Sequence, residues 1–308
     1  MVIEKTAYGM WGECVRMANN EIELFATLDI GPRVIRFGYI GGGNIMCEDV
    51  EGKSLADGAE FDRRFGAGSA WYIHGGHRLW TSPEAMPRSY YPDNEKVDCK
   101  INGNTVTLTP PPQKWTQLQL SIEITMSENS NDVTVKHYIT NIGAWEVELA
   151  AWALSVLAPG GMEIVPQPTR DTGLLGNRVI ALWPYTNMAD KRVYWGDKFI
   201  TLRQDEGAAQ PFKFGINSEH TCGGHARAAY ILDGTMFIKR FNVNENGNYP
   251  DGGMSFETYT NFLMLEMESL SELKKLRTDE TVEHTEYWSL RRGVSEPRNE
   301  AEMAELFV

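Results

Sequence analysis

The chain has 308 residues, 42% of them hydrophobic and 23% charged, with a formal net charge of −13. That balance belongs to a globular protein with a large core, not to a disordered or collagen-like chain. The acidic excess, with basic residues scattered along the sequence, argues against nucleic acid as a partner, because phosphate neutralisation needs a basic face.

The first twenty residues, "MVIEKTAYGMWGECVRMANN", have no basic segment followed by an apolar one. No stretch approaches the ~20 apolar residues that cross a bilayer, so a cytoplasmic protein with no membrane partner is expected. "EIELFATLDI" and "RVIRFGYI" follow, rich in β-branched and aromatic residues with period-two alternation, and read as the first strands. "EGKSLADGAEFDRRFG" holds a short helix. Residues 72–84, "YIHGGHRLWTSPE", crowd histidine, arginine, tryptophan and glutamate around two glycines. "KVDCKINGNTVTLTP" reads as a hairpin turning at Asn102-Gly103, with both central residues expected at positive φ. "LQLSIEITMS", "DVTVKHYITN" and "VELAAWALSVLAP" are further strands, and alternation puts Val133, Val135, His137 and Ile139 on one face. In "NFLMLEMESL" the same rule puts Phe262, Met264, Glu266 and Glu268 on one face and Leu263, Leu265 and Met267 on the other. "EPRNEAEMAELFV" closes the chain with good helix formers after a proline. No linker, repeat or low-complexity tract divides the sequence. The expected architecture is all-β: one domain, residues 1–308, forming a large antiparallel β-sandwich with a concave sheet face for a ligand.

Four cysteines, Cys14, Cys47, Cys99 and Cys222, are far apart with no C-x-x-C pair, which predicts free thiols. His220 and His225 flank "TCGG", but strong zinc spacings carry four ligands, so no metal is expected. There is no G-x-G-x-x-G after a strand, no Walker lysine, no G-x-S-x-G and no H-E-x-x-H, so nucleotide-dependent chemistry and metalloproteolysis drop out. Against that background the candidate site residues are few. His74 and His77 titrate near neutrality and suit proton transfer. Gly75 and Gly76 let the backbone turn sharply and a ligand approach it closely. Arg78 offers a planar fork of donors, and Trp80 an apolar face for a pyranose ring. Glu266 stands in an apolar strand, where desolvation would raise its pKa towards that of a general base, and Glu268 could perturb it further. Lys213, Lys239, Arg240, Tyr249 and Asp251 supply the donor and acceptor variety that sugar hydroxyls require. A lysine inside a strand, as Lys239 is, must be paired or face a ligand if buried.

The order of these parts resembles the galactose mutarotase-like (aldose 1-epimerase) superfamily: an early strand pair in "EIELFATLDIGPRVIRF", a central "HGG", a long β middle and a late strand ending in Leu-Glu. The likeness runs through roughly residues 20 to 290, and within the superfamily it is nearest to a bacterial branch carrying "GGHRLW-x-x-PE", "YPDGG" and a late "LE-x-E" strand. The resemblance implies a β-supersandwich with a sugar-sized cleft, a small-molecule carbohydrate as partner and no cofactor. It also implies a glutamate that takes the proton from the anomeric hydroxyl while a histidine protonates the ring oxygen. By motif, Glu266 matches the base and His74 the first active-site histidine. The second histidine of mutarotases has no counterpart, because "VELAAWALSVL" offers Trp152 where it would stand; His74, His77, Lys213 and Lys239 are then the candidate donors. Arg78 with a lysine could also accept an anionic group on the sugar.

Three readings therefore stand. One is a cofactor-independent aldose 1-epimerase acting on a sugar or a modified, acidic sugar. Another is a noncatalytic carbohydrate-binding or sensing protein that stacks sugars on Trp80 and Trp152, since fold does not fix function. The third is a lyase or glycosidase, ranked last for want of a recognisable carboxylate pair. No interface stripe indicates an oligomer.

Overall fold

The computed structural model describes residues 1–52, 55–220 and 224–307. Cys222 and the middle of H-T-C-G-G-H lie outside the described residues. Strands dominate, and the two helices expected from sequence form at Ala59–Phe65 and Glu300–Leu306. The second is capped by Asn299, whose side chain accepts from the backbone N–H of Glu302 at 3.0 Å, satisfying a donor that the first turn leaves free.

Two large antiparallel sheets stack face to face. The first has the order Val2–Ala7, Glu13–Ala18, Ile22–Thr27, Val34–Tyr39, Gly76–Ser82, Val147–Leu157, Leu265–Leu270, Phe256–Thr260, Phe212–Ile216 and Ile180–Leu182, with Lys274–Leu276 pairing to one end of Val147–Leu157. The second runs from Val193–Trp195 to Asp98–Asn102 and includes Asp132–Asn141, Thr235–Phe241 and Thr281–Arg292 near its middle. Phe37, Phe212, Phe214 and Met267 of the first sheet meet Ile122, Val135, Phe237 and Trp288 of the second in one continuous apolar layer. In Asp132–Asn141 the buried residues are 133, 135, 137, 139 and 141, as alternation requires.

Local differences from the sequence reading have simple causes. In the hairpin Asn102 pairs with Thr105, so the turn is Gly103-Asn104, and within it Gly103 takes positive φ at 60° whereas Asn104 does not. The late strand starts at Leu265 because Phe262 and Leu263 belong to the bend before it. There the Asn261 side chain accepts from the backbone N–H groups of Leu263 and Met264. This Asx-type turn competes with strand pairing. Cys14, Cys47 and Cys99 are free thiols.

Candidate functional site

Five neighbouring strands of the first sheet carry the site. Register sets Arg78, Leu154, Glu268 and Glu257 opposite one another in a row across four strands, and Val156, Glu266, Tyr259 and Lys213 in the next row. Alternation turns both rows outward, away from the second sheet. Above them lies a cavity of about 320 Å³, near the lower end of the range for small-molecule sites. Trp71, Trp80, Trp152 and Trp183 line it with Tyr90, Tyr185 and Tyr259, and its charged residues are Arg78, Lys213, Glu84 and Glu266. Trp80 packs edge-on against Trp152 with ring centroids 5.6 Å apart, so the rings hold one another in place and leave faces for a ligand.

Two ion-pair groups form the floor. Arg78, 2% exposed, donates from Nη2 to Glu266 Oε1 at 3.0 Å and lies 4.4 Å from the Trp80 ring centroid. Its Nε and Nη1 have no protein partner, so two charge-bearing donors on the cavity wall await an acceptor. Lys213 reaches Glu257 at 2.8 Å and Glu268 at 3.0 Å while its ammonium lies over the rings of Trp152 and Trp183. Trp152 Nε1 also donates to Glu268, at 2.9 Å. Burial pushes the Glu257 carboxyl up to about 8 and that of Glu268 up to about 7, with Lys213 pulling each partly back. Burial alone would lower Lys213, but Glu268 and Glu257 outweigh it and hold the ammonium well above the ordinary lysine range. The two carboxyls thus titrate near neutral pH beside an ammonium that stays charged.

Of the residues singled out from sequence, Arg78, Trp80, Trp152, Lys213 and Glu266 share this cavity. Asp251 lines an adjoining cavity of about 300 Å³ that shares Glu84, Tyr90, Trp152 and Trp183 with the first. Tyr249 is elsewhere: it is buried, accepts from the Asn244 N–H at 2.8 Å and lines a small separate cleft. Arg240 pairs with Asp132 at 3.2 Å on the far sheet. The His220 backbone N–H donates to Glu245, whereas His225 bonds Asn242 through Nδ1.

His74 does not line the cavity with Glu266. Its ring sits against Trp11 and Tyr72, with Nε2 3.3 Å from Asn94 Oδ1, and burial, reinforced by Arg33, lowers its pKa. The glycines beside it serve the backbone, not a ligand. A Cβ on Gly75 would stand 2.1 Å from the Cys47 carbonyl oxygen, and one on Gly76 2.5 Å from that of Val34; their φ values are 98° and 68°. The crossing of residues 45–49 over this strand needs Gly75, and the close approach of the Val34–Tyr39 strand needs Gly76.

His77 and Lys239 face the opposite way, into the layer between the sheets. His77 bonds Ser155 Oγ through Nδ1 at 2.9 Å and His137 through Nε2 at 2.7 Å; His137 Nδ1 meets the His284 carbonyl at 3.0 Å. A carbonyl only accepts, so His137 carries its proton on Nδ1, His77 on Nε2, and Ser155 donates to His77. Ser269 accepts from His284 and donates to Glu286, which also receives Lys239 at 2.8 Å and Trp288 at 2.7 Å. His77, His137 and Glu286 are, among the described residues, a group with ligand atoms close enough together for a metal ion. The Lys239 ammonium already compensates the carboxylate there. Burial lowers the pKa of His77, of His137 and of His284, the last to about 3.

Sequence reasoning missed Glu257, Tyr259 and Trp183, and noted Glu84 within residues 72–84 without giving it a role. The first two were findable: "FETYT" alternates in register beside "LEMESL", which puts Glu257 and Tyr259 on the face of Glu266 and Glu268.

No protein-family profile matches the sequence, and no curated protein matches it. The fold has clear counterparts. A galactose mutarotase-like protein from Clostridium acetobutylicum superposes with a TM-score of 0.55 at 12% identity, covering 95% of this chain and 99% of that one. A Klebsiella pneumoniae protein provisionally described as an aldose 1-epimerase gives 0.60 at 12%, covering 99% and 85%. A TPR-domain-containing protein from Parabacteroides distasonis also gives 0.60, at 13%, with 92% of this chain matching 48% of that larger one. The chain spans about half the length of that protein. The architecture is therefore the galactose mutarotase-like β-sandwich.

Proposed function

We propose that this chain binds a monosaccharide-sized carbohydrate in the aromatic cavity and interconverts its anomers, with Glu266 as general base. The observation that carries the reading is the pairing of Arg78–Glu266 with Lys213–Glu257–Glu268 on the floor of a tryptophan-walled cavity. Aromatic faces take the apolar face of a pyranose, and the two unpartnered Arg78 nitrogens take its oxygens. Ring opening transfers the anomeric hydroxyl proton to Glu266 as the ring C–O bond breaks, and the ring oxygen gains a proton in return. None of the six histidines lines the cavity among the described residues. The donor role therefore goes to Lys213, which is on the wall and is reprotonated by the carboxyl pair bonded to it. Reclosure on the other face of the carbonyl reverses the transfers.

The test is exchange NMR of anomer interconversion over a panel of aldoses, with wild type and Glu266→Gln side by side. Acceleration by wild type that falls at least about a hundredfold in the variant, with ligand affinity within a few fold, is the expected result. The absence of a cavity histidine favours a second reading, a noncatalytic carbohydrate receptor on the same site. That reading takes over if resonances of one sugar broaden on binding while no sugar exchanges faster.

A further inference from the structure

The cavity does not end at Glu266. Its outer compartment, about 300 Å³, is lined by Glu84, Asp251 and Glu257 with no basic side chain, and its aromatic walls include Trp152 and Trp183. Glu257 is 1% exposed, and its Oε1, the oxygen not given to Lys213, has no partner. A buried carboxylate oxygen left without a donor beside two further carboxyls and two indole faces is the environment that organic ammonium groups occupy. A metal ion fits less well. Three ligand atoms would have to converge, and among the described residues such convergence occurs between the sheets at His77, His137 and Glu286, not here. An anionic substituent is disfavoured by the same charges, since Arg78 and Lys213 are already paired with carboxylates.

We propose that this outer compartment receives a protonated amine carried by the carbohydrate, so that the ligand class is an amino sugar or an amine-bearing glycoside. The inference rests on the carbohydrate reading above and narrows it. The ammonium bonds Glu257 Oε1, with Asp251 and Glu84 completing the charge, while the sugar ring keeps the inner cavity beside Arg78 and Glu266.

Calorimetric titration at neutral pH, where the amine is still charged and its binding draws the proton from the raised Glu257 carboxyl, tests this with D-glucosamine and D-galactosamine against D-glucose, D-galactose and the two N-acetyl derivatives. The amines are expected to bind about tenfold tighter than their neutral parents and their N-acetyl forms. Asp251→Asn, on an exposed turn, is expected to erase most of that preference with an unchanged melting temperature. Glu257→Gln should do the same, and Asp251→Asn keeps the test sound if Glu257→Gln does not fold. Parents that bind as well as their amines would overturn the amine assignment and leave the carbohydrate reading standing. If no sugar of either kind binds, the carbohydrate reading fails and this inference fails with it. A preference for the amine that survives both substitutions would place the ammonium elsewhere and overturn the assignment to this compartment.

Discussion

Gly76 and Arg78 are two positions apart and serve different ends. At Gly76 any Cβ would enter the Val34 backbone and sit at a φ of 68°. Gly76→Ala is therefore expected to destabilise the protein by about 3 kcal/mol or more, read as a lowered denaturant midpoint with little change in slope. Arg78 belongs to the proposed site, where its guanidinium stands between the Glu266 carboxylate and the Trp80 face. Arg78→Lys retains the charge but not the planar fork, and should weaken carbohydrate binding about tenfold or more by the same titration. Arg78 and Glu266 stand out in the sequence because charged side chains are costly in a buried strand, and the structure gathers them with Trp80 at one cavity. The sequence misled at His74 and His77. "HGG" looks like a flexible ligand loop, yet the glycines answer a backbone crossing that involves residues from 34 and 47, and no local pattern announces a contact so far along the chain.

At the scale of the element, every residue of Gly76–Ser82 and of Leu265–Leu270 is buried. Alternation still assigns the faces, but hydrophobicity cannot say which face looks inward, because one meets the second sheet and the other the walls of the cavity. This is why Lys239 and His77 passed for ligand contacts while the strands themselves were readable. Lys239 instead clamps the layer. Its ammonium pairs with Glu286 and also donates to the backbone carbonyl of Met267, between Glu266 and Glu268. Lys239→Met would leave Glu286 charged and dry, and is expected to cost about 3–5 kcal/mol. Adding Glu286→Gln should recover part of that loss in equilibrium unfolding.

For the whole molecule, the buried titratable groups fall into two sets with opposite pH signs. Glu257 and Glu268 have folded pKa values raised to about 8 and about 7, and Glu163 is raised by burial as well. The folded state binds more protons than the unfolded chain there, so their contribution to stability is lost as pH rises through neutrality. His77, His137 and His284 are lowered. The unfolded chain binds the extra protons below about 6.5, and stability falls as pH drops. The two opposing slopes bound a stability maximum on the acid side of neutrality, which thermal melts across a buffer series will show. A melting temperature still climbing at pH 8 would contradict the carboxyl assignments.

The ion pair that closes the cavity floor joins residues 188 positions apart, and the rows beside it draw on strands from residue 76 to residue 270. Chain closure over such spans is entropically slow and precedes the contacts that reward it. The proposed recognition surface is therefore expected to form late in folding, and neither half of the chain, released by proteolysis, is expected to bind the ligand that the whole protein binds. A ligand that sees the finished fold alone holds it there, by about 2.7 kcal/mol at a hundredfold excess over its dissociation constant. Heating the protein in the presence of a compound library is then a search for its physiological ligand that requires no knowledge of the reaction.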